Sequence, residues 1–272
     1  MSGTTGEEKL YMLLQDKVAV IYGAGGAIGA GVCKAFAREG AFVHMTGHHL
    51  NPVNTVAASI REVGGKCDTK EIDALNAQQV EADLAELVHE HGRIDISFNA
   101  ISTSQQMGCL LEDVNPDEFK KSVSDLLTTN FITMTAAVRH MVNQGQGVIL
   151  AITAIVSRRP EQLTGSFSVA EAAVEGLCRQ LAVDAGSRGI RVVCLRSSGS
   201  PDAAGVSETF DSIAAEQGIS RDAFESNLAE QTILKRLPRV AEFANAAVIM
   251  ASEYASAFTG AAANVNCGQV ID

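Results

Sequence analysis

Val18-Ala19-Val20-Ile21-Tyr22-Gly23-Ala24-Gly25-Gly26-Ala27-Ile28-Gly29 is the stretch that decides the fold. A short apolar run that enters a glycine cluster reads as a buried strand. The residues after it, 27–39, have helical character and stop at Gly40. A strand that turns through glycines into a helix is a place where a pyrophosphate can bind. The N–H groups of the first helical turn point outward there, the helix dipole favours negative charge, and side chains would block the approach. Gly23, Gly25, Gly26, Ile28 and Gly29 are therefore candidate phosphate-cradle residues. A tight turn with no ligand would use the same glycines, so the loop alone does not decide between the two.

The same rhythm continues outward from this stretch. Strands are expected at 41–46, 70–73, 94–100, 147–153, 190–195 and 262–266, with helices at 53–63, 77–91, 117–143, 168–186 and 242–252. Strands that alternate with helices of about ten residues or more pair in parallel through right-handed crossovers. The expected architecture is α/β: a three-layer, doubly wound parallel sheet forming one domain over 15–272, with a polar tail at 1–14. Ligands in such sheets sit at the carboxyl ends of the strands. The segment 197–232 breaks the alternation. It is long, polar and partly helical, and reads either as a lid or as a surface excursion.

Composition narrows the function. The net charge of −11 repels phosphate backbones and makes nucleic acid an unlikely partner. No apolar run approaches the ~20 residues of a membrane span, and the first residues lack the basic start and apolar core of a signal peptide. The six cysteines form no C-x-x-C pair and no zinc-spaced cluster with histidine. Reduced thiols are the default, which suggests the cytoplasm and no metal.

With the glycine loop, Phe36-Ala37-Arg38-Glu39-Gly40-Ala41, Asp73, Ile94-Asp95-Ile96-Ser97-Phe98-Asn99, Gly189-Ile190-Arg191-Val192 and Thr259-Gly260 in order, the chain resembles the short-chain dehydrogenase/reductase family from about residue 15 to 272. The resemblance implies a Rossmann-type fold and a nicotinamide cofactor, with Asp73 beside the adenine and Asn99 on the cofactor strand. It also implies a homodimer or homotetramer through the two long helices, on analogy with the family, and a small-molecule substrate. The family usually carries a carboxylate at the end of the second strand when it binds NAD. This chain has Thr46-Gly47-His48-His49 there. A histidine can meet a 2′-phosphate, most strongly when protonated, so NADP is favoured over NAD through His48. A solvated turn accounts for the two histidines equally well, and a chain that binds no cofactor stays open.

What the resemblance does not supply is the family's acid–base machinery. In the family a Tyr gives the proton, a Lys four residues on lowers its pKa, a Ser thirteen residues before it positions the carbonyl, and an Asn on the central helix completes a relay. Here those positions hold Phe167, Glu171, Ala154 and Leu126, with Asn130 one turn beyond Leu126. Phe has no proton to give and Ala no hydroxyl. The expected cleft of Phe167, Ala154 and Leu126 would raise the Glu171 carboxyl into a range useful for acid–base work. Glu171 and Asn130 are thus the candidate reacting side chains, although a solvated helix glutamate is the plainer reading of Glu171. Three functions remain: an atypical oxidoreductase using NADP(H) or NAD(H), a non-redox cyclase, isomerase or lyase with Glu171 moving a proton, and a non-catalytic pseudoenzyme or binding subunit.

Overall fold

The structure, a computed structural model, describes residues 12–105 and 107–272. The first strand, β1 (Val18–Tyr22), is buried along its whole length, as an apolar run flanked on both edges must be. It pairs in parallel with β2 (Phe42–Gly47) on one side and β4 (Ile96–Asn99) on the other. With β3 (Lys66–Glu71), β5 (Gly147–Ala154), β6 (Ile190–Ser197) and β7 (Ala262–Val265), the sheet runs β3-β2-β1-β4-β5-β6-β7, all parallel. The order reverses between β1 and β4, so the carboxyl ends of these strands open the crevice of a doubly wound, Rossmann-type sheet.

The period-two alternation of β1 assigns its side chains to two cores. Ala19 and Ile21 pack with α1 (Ala27–Arg38), α2 (Leu50–Glu62) and α8 (Val240–Ala251). Val18, Val20 and Tyr22 pack with α3 (Ala77–His91), α4 (Pro116–Gln144) and α5 (Phe167–Gly186). Asn76 caps α3 and Asn115 caps α4, each accepting two N–H bonds, and left-handed Gly92 and Gly145 end these helices.

Three expectations need correcting. The third strand starts at Lys66 rather than 70, because pairing with β2 from Phe42↔Lys66 to Gly47↔Glu71 makes a strand of residues with no apolar pattern. It is the sheet's edge, where charged side chains are tolerated. The domain begins before residue 15: Leu14 is wholly buried and its N–H donates to the Glu39 carbonyl at 2.9 Å. The rest of the expected tail, 1–11, lies outside the described residues. Strand β6 reaches Ser197, so the irregular segment starts later and then folds into α6 (Ala204–Glu216) and α7 (Arg221–Glu230). These two helices pack on a small core of their own, with Phe210, Ala214, Phe224 and Leu237. Among the described residues no helix is long and apolar enough to cross a membrane, and no group of three metal-ligating side chains converges.

Candidate active site

The glycine loop sits at the carboxyl end of β1. Gly23 has a φ of +76°, and a Cβ there would collide with the backbone of Ala100 at the end of β4. A side chain at Gly25 would strike Pro52 at 2.7 Å, and one at Gly29 would land on the Gly23 carbonyl. Helix α1 begins after Gly26 with no side-chain cap and no acidic residue in its first turn. Its leading N–H groups are thus left for an anion. Ile28 faces the core formed with α8.

The other expected cofactor positions lie at the carboxyl ends of β2, β3 and β4. His48 is exposed at the end of β2, its ring 4.8 Å from that of His49. Asp73 closes its own turn by accepting from the Leu75 N–H at 2.9 Å. Asn99 is buried and fully engaged: its amide donates to Thr133 Oγ1 and its carbonyl accepts from the Ile101 N–H, each at 2.9 Å. Asn99 therefore locks β4 to α4.

The second half of the site lies where β5 meets α5. Glu171 is 8% exposed, and one of its oxygens accepts the Ala154 N–H at 2.9 Å. The solvated-glutamate reading is therefore wrong. Burial, opposed by that N–H and reinforced by the charge of Glu175, pushes its pKa up to about 7. Phe167, one turn earlier on the same face, packs with Ala154 against Ile155, Val156 and Val270. Leu126 is buried in the core that includes Ala170 and Val174 of α5. The Asn130 amide folds back to the Leu126 carbonyl at 2.9 Å, and its own carbonyl oxygen is buried with no partner among the described residues. The structure thus brings Ala154 and Phe167 to Glu171, and gives Asn130 no hydrogen bond to it.

Two further side chains were missed. Glu175, one turn beyond Glu171, is buried against Arg196, which is only 3% exposed. The guanidinium grips both carboxylate oxygens, at 2.8 and 2.9 Å, while its third nitrogen reaches Asn264 and Asp272. Thr153 and Ser157 also donate to Glu175. Burial works against ionisation of Glu175, but Arg196 and these hydroxyls hold its pKa below the ordinary value. The signal was present in the sequence as a lone arginine in the apolar run Val192-Val193-Cys194-Leu195-Arg196 and a glutamate beside an apolar helix stripe. Two arginines that follow β5 are engaged away from Glu171. Arg158 pairs with Asp272 at 3.4 Å, and Arg159 donates to the Gln269 carbonyl and to Gln231.

Comparison with known proteins agrees with this fold. A family profile described as Enoyl-(Acyl carrier protein) reductase matches residues 23–269. The chain is similar to a 3alpha-hydroxysteroid dehydrogenase of Mediterraneibacter gnavus, 30% identical over 92% of this chain and 96% of the relative. It is also similar to the 3-oxoacyl-[acyl-carrier-protein] reductase FabG of Chlamydia muridarum, 26% identical over 94% of this chain and 98% of the relative. Among solved structures, an NAD+-bound xylitol dehydrogenase superposes with a TM-score of 0.87 at 19% identity, covering 94% of this chain and 99% of the other. At that identity the likeness is one of fold.

Proposed function

The chain belongs to the short-chain dehydrogenase/reductase family, and we propose that it is an atypical oxidoreductase of that family, binding NADP(H) in preference to NAD(H) and acting on a small organic substrate. The observation that carries this reading is the uncapped start of α1 beneath a loop that has no room for side chains at Gly23, Gly25 and Gly29. That cradle fits a dinucleotide pyrophosphate. When bound, the nicotinamide supplies or accepts the hydride. His48 and the absence of a carboxylate at the end of β2 support a 2′-phosphate.

This chain's own residues must then do what the missing Tyr and Lys do elsewhere. Phe167 and Ala154 exclude water from the Glu171 carboxyl, and a group titrating about pH 7 both holds and releases a proton there. Arg196 keeps Glu175 ionised one turn away. That raised pKa equally favours a second reading, in which Glu171 moves a proton in a non-redox reaction and no cofactor turns over. An assembly of two or four chains through α4 and α5 accompanies both readings. Phe131 and Val183 are exposed on these helices, and a cleft of about 400 Å³ lined by Leu127, Phe131, Ala173 and Leu177 lies between them.

Calorimetric titration with NADPH and then NADH tests the first reading. Micromolar binding, tighter for NADPH, is expected. Binding of neither removes the redox reading and leaves proton transfer at Glu171.

A further inference from the structure

Glu171 is a buried acid without a counter-ion. Among the described residues no Lys, Arg or His pairs with it, and its sole hydrogen bond is the Ala154 N–H. Arg196, the guanidinium one turn away on Glu175, is saturated by Glu175, Asn264 and Asp272. Arg179 leans on Glu175 at 3.6 Å, and Arg158 and Arg159 are held by Asp272, Gln269 and Gln231. Resting on the reading of Glu171 as the reacting acid, we propose that its site takes an organic cation, a protonated amine or iminium nitrogen on an apolar body, with Glu171 as the counter-ion.

Three observations point the same way. An ionised carboxylate in an apolar setting is costly unless paired, and the neighbouring cations among the described residues are already used, so the partner that makes ionisation favourable comes with the ligand. The Phe167 ring shares the helical face of Glu171, and an aromatic face attracts a cation. The surface beside the start of α5 is apolar as well. The chain segment after β4 is strapped to the one before α5 by the bridge Cys109↔Thr164 and by the Gly108 N–H to the Leu163 carbonyl at 2.8 Å. Met107, Leu110, Leu111 and Leu163 are exposed on this strap. Thr164 in turn ties to Ser168 in the first turn of α5 at 2.6 Å, which places the strap beside Phe167.

Such a substrate also resolves the missing proton donor. Hydride addition to a protonated C=N carbon forms a C–H bond and returns the π pair to nitrogen as a lone pair, with reduced nicotinamide as the two-electron donor. No proton has to come from the position that Phe167 holds.

The test is calorimetry of the full chain with benzylamine, which stays protonated from pH 6 to 8, and with benzyl alcohol as its neutral counterpart. The charged and titratable groups around Glu171 are Glu175 and Arg179 on α5, Arg196 on β6, Arg158 and Arg159 after β5, and Asp272. Arg196 helps hold Glu175 and Asp272 below the ordinary carboxylate values, and the buried α4 residues Leu126, Thr129 and Asn130 are uncharged. A carboxyl titrating about pH 7 is about 10% ionised at pH 6 and about 90% at pH 8, so benzylamine should bind about tenfold more tightly at pH 8. Benzyl alcohol should show no such dependence. Glu171→Gln should weaken benzylamine at least tenfold at pH 8 and abolish the dependence on pH. Equal benzylamine affinity at the two pH values, no preference over benzyl alcohol at pH 8, or no benzylamine binding would each overturn the proposal without recourse to a variant. NADPH titrated in parallel keeps the readings apart. NADPH binding without an amine preference removes this inference alone, whereas an amine preference without NADPH binding leaves the cation site standing and removes the redox reading.

Discussion

Glu171→Gln should stabilise the protein, and do so more as the pH rises. Folding moves the Glu171 carboxyl from a pKa of 4.5 to about 7. A group raised in this way contributes stability that is fully present below 4.5 and is lost as the pH climbs through 7, because the folded chain must bury the ionised form. At about 1.4 kcal/mol per tenfold change in proton affinity, the whole penalty is about 3 kcal/mol. Glutamine keeps an acceptor for the Ala154 N–H that now meets the carboxylate at 2.9 Å, and it never ionises. The advantage of the variant should be under about 1 kcal/mol at pH 5 and grow to about 3 kcal/mol at pH 8. Urea denaturation of both proteins at pH 5, 6, 7 and 8 measures this gap directly, provided the slope of the transition is unchanged. A gap that stays constant across the series, or a wild type that is the more stable at pH 8, would refute the assignment of a near-neutral titration to Glu171.

Arg196→Met strips the buried Glu175 of its guanidinium and should cost about 3–5 kcal/mol, whereas the pair Glu175→Met with Arg196→Met should recover most of it; denaturation midpoints within 1 kcal/mol of wild type for the single variant would contradict this. His44 is buried between Asp68 at 2.7 Å and Asp83 at 3.1 Å. Burial opposes its charge, but the two carboxylates outweigh it and raise its pKa to about 9. Its stabilising contribution is thus full below 6.5 and lost as the pH rises through 9, and an imidazole NMR titration with a midpoint under 7 would be inconsistent with that. Gly29→Ala should lower NADPH affinity at least tenfold by driving a Cβ onto the Gly23 carbonyl. His48→Ala should weaken NADPH severalfold and leave NADH unchanged, and equal losses for both cofactors would take His48 out of the discrimination.

The alternation of apolar runs with helical segments was enough to read the succession of strands and helices along the chain, because buried parallel strands are written as continuous apolar sequence. Strand β3 was misplaced for the complementary reason. Lys66-Cys67-Asp68-Thr69 carries no hydrophobic period, and only its ladder with β2 makes it a strand. Leu14 was assigned to a tail because a single leucine has no period at all, and its burial depends on Glu39 and Gly40 closing over it from the end of α1. Tyr22 ends the first strand with its hydroxyl buried against the α3 layer and with no partner among the described residues, a cost that the apolar run around it did not announce.

The site was legible as a set of substitutions but not as a set of pairings. Local spacing puts Glu171 and Glu175 on one face of α5, and nothing in that spacing says that they should behave differently. What separates them is Arg196, 21 residues further on from Glu175 and on another element. Strand β6 runs beside β5 in the register Thr153↔Arg196, which delivers the guanidinium to Glu175 together with the Thr153 hydroxyl. One turn earlier, the hydrogen bond Glu171 makes among the described residues comes from the Ala154 backbone. A single long-range cation thus divides two identical side chains into one fixed anion and one acid that titrates near neutrality. Two carboxyls driven apart in this way are the usual starting point for assigning proton-transfer roles. By the same logic Glu175 is the structural partner and Glu171 the group left free to meet a ligand.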